Sequence, residues 1–252
     1  MGNRLRLSKL WSPSEITTLG WWDADDAGTI TESGGFVSQW DDKSGNDDHM
    51  VQATAADQPQ TGVHTLGGLN TISAYDLATG GTFMNAPVTC GADFMFFCAM
   101  NLYDGVFSQG PFQLPQSSGT DRWGLRFYRN NNLTLTAYSN AGADLALTTI
   151  TGTDNPMIWG GVFDGTGAGT KEVFIDGTSE GSNAYTSTDT TTVQLFRNAD
   201  QTADTRIGEV VIVPTDVSTA TRQRLEGYLA WKWGLEGSLP LGHPYKNAAP
   251  TV

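Results

Sequence analysis

Between about residue 18 and residue 213 the chain repeats one pattern: short apolar-polar alternations of period two, cut by glycine- and asparagine-rich punctuation. Candidate strands are 18–23 (TLGWWD), 35–41 (GFVSQWD), 71–77 (TISAYDL), 93–100 (DFMFFCAM), 122–128 (RWGLRFY) and 132–138 (NLTLTAY). They continue at 145–150 (LALTTI), 157–164 (MIWGGVFD), 171–176 (KEVFID), 192–197 (TVQLFR) and 206–213 (RIGEVVIV). Alternate residues of a strand face opposite sides, so each segment offers one apolar face to a core. The intervening ESGG, SGNDD, GTGAGT and IDGTSEG are turn and loop chemistry. Strands at this spacing predict a β-sandwich or jelly roll.

Charged residues are only 16% of the 252, and 30 glycines accompany them, which argues against helical bundles and against disorder. No linker or composition break divides the sequence, so residues 1–252 are read as one domain. The formal net charge of −13 repels phosphate backbones and sets nucleic acid aside as a partner. Cys90 and Cys98 flank one short segment that a strand holds extended, so they are expected as reduced, buried side chains. No apolar run is long enough to span a bilayer, and MGNRLRLSKLWSPSE lacks the apolar core of a signal peptide. The expectation is a soluble protein made in a cytoplasm, with no membrane partner.

Two helices interrupt the β pattern. In WSPSEI, Ser12 is placed to cap, Pro13 suits the first helical position and Glu15 completes a capping box, which closes an N-terminal arm over 1–17. Near the other end Ser218 caps a helix that runs to Trp233, with Gly234 as its stop. Leu225, Tyr228, Leu229 and Trp233 share one helical face and are expected to lie on the sheet. Trp231 points away from that stripe and is exposed unless the tail or a neighbouring subunit covers it.

LEGYLAWKWGL, followed by LP, HPYK and AP, resembles the C-terminal signature of concanavalin A-like (laminin G-like) jelly-roll domains. LWSPSEI, GWWDADDAGTI and VSQWDDKSGN match the same family near the front, so the likeness brackets the chain. Such domains occur in virion proteins of tailed bacteriophages and in some marine bacterial surface proteins. The resemblance implies an all-β concanavalin A-like sandwich of two antiparallel sheets serving adhesion, sugar binding or capsid decoration. It implies no catalytic residue at the helix. It also implies that residues 218–252 close an edge or end of the sandwich, with Pro240, Pro244 and Tyr245 strapping the tail.

The chemistry-bearing residues are sparse. Asp23, Asp25 and Gly28 mimic three positions of a calcium loop, but Ala27 and Gly34 occupy two others, and an EF-hand is rejected. Two readings stay open for Asp23, Asp25 and Asp26: a looser calcium site, and an Asp-rich turn bonded to its own backbone. Asp42 and Lys43 are placed to pair locally, and His49 is read as part of a solvated loop. Glu172 and Asp176 fall on one strand face, which is the nearest approach to the two carboxyls a glycosidase needs. GEVVIV offers a single acid. Candidate glycan contacts are Arg126, Tyr128 and Asn130, with Trp123, Leu125 and Phe127 facing the core, and Trp231 is a further candidate. The expectation is a non-enzymatic virion protein, with no catalytic residues and no cofactor other than calcium. Its expected partners are other virion proteins, a host-surface glycan and further copies of itself in a symmetric array. The alternatives are a polysaccharide-degrading enzyme on the same fold and a bacterial surface lectin.

Overall fold

The structure, a computed structural model, describes residues 9–74, 82–102, 109–114, 125–129, 134–139, 145–149, 154–165, 169–184, 191–198, 201–202, 205–214 and 218–252. The chain opens with β1 (Gly20–Asp23), β2 (Ile30–Ser33), β3 (Phe36–Trp40), β4 (Met50–Val51), β5 (Gln60–Leu66) and β6 (Leu69–Ala74). Next come β7 (Met84–Ala86), β8 (Phe94–Leu102), β9 (Gln109–Leu114), β10 (Leu125–Arg129), β11 (Thr134–Ser139) and β12 (Leu145–Thr149). The later strands are β13 (Asn155–Asp164), β14 (Thr170–Ile175), β15 (Thr178–Ala184), β16 (Val193–Leu195), β17 (Arg197–Asn198), β18 (Gln201–Thr202) and β19 (Thr205–Pro214). Helix α1 (Thr219–Lys232) follows. No helix among the described residues is long and apolar enough to cross a membrane.

All strand pairings among the described residues are antiparallel, and they wrap into two layers. In one layer β15, β14, β13, β8 and β19 run side by side, and β19 continues onto β1 and β6. In the other, β2, β3, β4, β7, β16, β9, β10, β11 and β12 follow one another. Strand β5 pairs with β6 and touches β3, joining the layers along one edge. The main core lies between them: Phe94, Phe96, Cys98 and Met100 of β8 and Val210 and Ile212 of β19 meet Trp40, Met50, Met84 and Leu195. This is an all-β jelly-roll sandwich.

Strand β8 is apolar on both faces, and its two faces feed two cores. The alternate residues Met95, Phe97 and Ala99, with Val211 and Val213 of β19, form a second core under Leu225, Leu229 and Trp233 of α1. A strand covered on both sides needs an apolar residue at every position, which is what FMFFCAM supplies. The helix therefore lies flat on the outer face of the β8–β19 layer, where the family likeness placed it at an edge or end.

The helix boundaries follow the sequence expectation. The Ser218 side chain accepts from Thr221 N–H. At the other end Gly234 takes φ +69, and Leu235 N–H reaches back to the Ala230 carbonyl at 2.7 Å, so the stop needs a residue at ease in the left-handed region. The N-terminal capping box does not form. Pro13–Glu15 is a single 3-10 turn, Ser12 makes no side-chain cap, and the Glu15 carboxylate pairs with Lys9. One turn leaves too few orphan N–H groups for a box to satisfy.

Candidate functional site

The centre of the α1–sheet contact is a buried acid. Glu209 lies on the outer face of β19 and is 0% exposed. Its Oε1 accepts from Trp21 Nε1 at 2.6 Å and from the Tyr228 hydroxyl at 2.9 Å. Its Oε2 accepts from Trp233 Nε1 at 2.8 Å and pairs with Lys232 Nζ at 2.8 Å. Four donors saturate the lone pairs of one carboxylate. Burial pushes the Glu209 carboxyl above its ordinary range, and Lys232 and Trp233 pull against that shift. Tyr228 is pushed up as well, by burial and then by the Glu209 charge.

The ion pairs continue to the front of the chain. Lys232 Nζ also meets Asp23 Oδ1 at 2.6 Å, Lys43 Nζ meets Asp23 Oδ2 at 2.9 Å, and Lys43 meets Asp26 at 2.8 Å. The Lys43 hydrogen bond holds Asp26 below the usual carboxylate range. Burial works against the Lys43 charge, but Asp26 and Asp23 outweigh it and hold the ammonium above its usual range. Lys43 thus stands between Asp23 and Asp26, where a calcium ion would have to stand, and Lys232 takes the other Asp23 oxygen. Asp25 is exposed, and its N–H donates to Asp23 Oδ1 at 3.2 Å. Of the two readings left open for this trio, the geometry favours the backbone-bonded turn. No group of three His, Cys, Asp or Glu residues suited to a metal occurs among the described residues.

Asp42 is the corner beside this hub. It accepts from Trp21 N–H and Ser44 N–H, each at 2.9 Å, and from Asp48 N–H at 3.3 Å. The expected Asp42–Lys43 pair gives way to those backbone bonds, which free Lys43 for Asp23 and Asp26. His49 is half-buried, and its Nδ1 accepts from Asp42 N–H at 3.1 Å.

A second buried cluster pins the tail. Glu226 is 0% exposed, with Arg222 Nη1 2.7 Å from Oε1 and His243 Nε2 3.1 Å from Oε2. Tyr245 N–H donates to His243 Nδ1 at 3.3 Å, which assigns the ring proton to Nε2 and makes Glu226 its acceptor. The Tyr245 side chain packs on Gly227, where an added Cβ would come within 2.6 Å of the Tyr245 Cβ and 2.7 Å of its ring. The turn below belongs to the β14–β15 hairpin. Asp176 and Gly177 both have positive φ, +49 and +77, so the strand ends at Ile175 and Asp176 no longer shares a strand face with Glu172. Asp176 accepts from Ile158 N–H at 2.8 Å, and Glu172 from the Ser179 hydroxyl at 2.5 Å. Burial pushes the Asp176 carboxyl up to about 6, and Glu180 and Glu226 add to the rise. The two acids are structural groups of one hairpin.

Beside both clusters runs a groove of about 460 Å³, walled by Leu10, Trp11, Tyr228, Trp231, Ala249 and Pro250. The two ends of the described chain build one wall together. Leu10 bridges Thr251, Trp11 N–H donates to the Pro250 carbonyl at 3.0 Å, and Val252 N–H donates to the Lys9 carbonyl at 3.0 Å. Trp11 meets Tyr228 edge to face, with ring centroids 5.9 Å apart. Trp231 is 37% exposed and spends its Nε1–H on the Tyr245 carbonyl at 2.8 Å. The tail therefore covers it in part. Arg126 and Tyr128 lie on β10, where Arg126 is opposite Tyr138 and Tyr128 opposite Thr136. Their side chains, and the whole of Asn130 and Trp123, lie outside the described residues.

No protein-family model matches the chain, and no curated protein matches it. Solved structures do. Trypanosoma rangeli sialidase in complex with sialic acid aligns with a TM-score of 0.60 at 10% identity, over 84% of this chain and 33% of that one. The receptor-binding domain of botulinum neurotoxin type G aligns at 0.52 and 9% identity, over 86% and 51%. Botulinum neurotoxin type C, whose cell entry is described as dependent upon interaction with two ganglioside molecules, aligns at 0.58 and 7% identity, over 86% and 53%. The chain spans between 33% and 53% of the length of these three proteins. At such identities the likeness is one of fold: the chain is similar to them in its β-sandwich.

Proposed function

We propose that this chain is a non-enzymatic structural and adhesive protein of a tailed-bacteriophage particle, made in the host cytoplasm and carried on the capsid or the tail. The observation that carries the non-enzymatic part is the state of the buried acids. Asp23, Glu209 and Glu226 are each tied to lysine, arginine, histidine, tryptophan or tyrosine donors, which is how a packing lock treats its charges and not how a hydrolase presents a pair of carboxyls to substrate. The two-ended sequence signature supports the virion setting. Glycan adhesion belongs to the proposal because the similar solved structures include a receptor-binding domain and proteins named with sialic acid or gangliosides. A net charge of −13 favours a neutral host glycan over an anionic one. The contact is assigned to Arg126, Tyr128 and Asn130, on and just after β10.

Electron microscopy of particles decorated with antibody to this chain tests the setting. Label on the capsid or tail is the expected result, and label absent from particles overturns it. A glycan array with wild type and Tyr128→Ala tests the adhesion, and release of reducing sugar would convert the reading to a polysaccharide-degrading enzyme.

A further inference from the structure

The groove beside α1 has polar atoms only in name. Tyr228 commits its hydroxyl to Glu209, Trp231 its Nε1–H to Tyr245, and Lys232 its ammonium to Asp23 and Glu209. What faces the opening is carbon. A sugar leaves its hydroxyls unpaired in such a place, whereas aliphatic and proline side chains fit it.

The same molecule carries a matching projection. Leu241 is 93% exposed, more than any other large hydrophobic residue described. It stands at the tip of a tight turn closed by His243 N–H to the Pro240 carbonyl at 2.9 Å, and His243 is in turn anchored on buried Glu226. Pro244, two residues after Gly242 begins the exit from that turn's tip, is exposed too. An apolar side chain held out in water on an immobile turn loses little further freedom when it is covered. Other exposed hydrophobics lie at the groove: Leu10 at 65% and Trp231 at 37% form its rim, and Val252 at 65% is bonded to Lys9 beside it.

We propose that the groove of one copy receives the Leu241 turn of a second copy. Knob and hole are different surfaces, so the contact is heterologous and repeats around a ring or along an array. One such contact buries far less than the roughly 1,200 Å² of a stable pair, so it is weak alone and gains strength by repetition. The net charge of −13 opposes it, and screening relieves that opposition: the range of charge repulsion falls from about 10 Å at 0.1 M salt to about 3 Å at 1 M. Association therefore tightens as salt is added. The biological use of the contact rests on the particle reading above, but the contact itself is a property of the purified chain.

Sedimentation equilibrium on purified protein, at low and high sodium chloride, tests it. Wild type is expected to self-associate and to do so more tightly in salt. Leu241→Asp and Leu10→Asp, both at exposed positions, are each expected to weaken association about tenfold to a hundredfold, the worth of burying one leucine. Mixing the two variants restores one contact, because the Leu10→Asp copy still offers its knob to the intact groove of the Leu241→Asp copy. A monomer at every concentration and salt, variants that associate like wild type, or a mixture no better than its parts would each overturn the proposal. A wild type that stays monomeric yet binds a proline-rich peptide in the groove overturns it in favour of a different partner. Absence from phage particles, with association intact, would sink the particle reading alone.

Discussion

Replacing Asp176 by Asn should stabilise this protein at neutral pH, although it removes a half-buried, hydrogen-bonded charge. Asparagine keeps what the hairpin needs from this position: an oxygen to accept Ile158 N–H, now 2.8 Å from Oδ1, and tolerance of φ +49. What it discards is the charge. Burial, with Glu180 and Glu226 adding, lifts the carboxyl from 3.8 to about 6. Above pH 6 the folded chain holds an ionised group that it would rather keep neutral, so stability falls as pH rises from about 4 to about 6. At about 1.4 kcal/mol per pKa unit, a rise of some 2 units sets the loss at up to about 3 kcal/mol. Below pH 4 the group is protonated in both states and the penalty vanishes. Urea unfolding of wild type and Asp176→Asn across pH 3.5 to 8 reads this directly. The curves should coincide near pH 4 and separate by pH 7, with the variant the more stable. Equal stability at pH 7.5, or a variant weaker by the same amount throughout, would refute the reasoning.

The remaining predictions concern the lock and the core. Glu209→Leu strands the Trp21, Tyr228 and Trp233 donors in a dry site, leaves Lys232 with Asp23 alone, and should cost about 3–5 kcal/mol by chemical denaturation. Gly208→Ala places a Cβ 2.6 Å from the Trp233 ring and should cost about 1–3 kcal/mol, measured in the same way, whereas Gly237→Ala, with open space around it, should change stability little. Cys90 and Cys98 are each 2% exposed, and burial pushes the Cys98 thiol up. Iodoacetamide should therefore leave both unlabelled in the native protein and modify both in urea.

Strands with an apolar face were legible because period two is a direct record of burial. Each of the eleven segments marked in the sequence overlaps one of strands β1, β3, β6, β8, β10 to β14, β16 and β19, with 75–77, 122–124, 132–133 and 150 outside the described residues. The strands that escaped are short or polar. Strand β5 is half-buried or exposed along QTGVHTL at every residue but Leu66, and β15 is half-buried or exposed throughout TSEGSNA, so neither carries the alternation. Asp176–Gly177 did hold a signal, since Asp-Gly between two extended runs marks a two-residue hairpin. The helix stripe and its glycine stop were equally legible, being local. Glu209 was not. A lone acid in GEVVIV announces a buried charge that needs partners, but those partners come from residues 21, 228, 232 and 233, and no local pattern names them. The groove escaped for the same reason, being assembled from both ends of the described chain.

That convergence brings together two motifs that lie far apart in the sequence. The front motif contributes Trp21, Asp23, Asp42 and Lys43, and the rear motif Tyr228, Lys232 and Trp233; Glu209 and Asp23 are where they meet. In space the two motifs are one structure, a charged seam between β1, β19 and α1 that neither end can form alone. A carboxylate of β19 saturated by one donor from β1 and three from α1 and its C-cap constrains where these elements lie, and an apolar isostere would fill the space without fixing the register of the helix on the sheet. Conserving volume while removing the charge, as in Glu209→Gln, therefore discriminates between filling and positioning. Amide exchange across α1 would remain slow if the acid merely occupies space. It should rise along the Tyr228–Trp233 turn, and at Trp21 on the facing strand, if the charge is what holds the two ends in place.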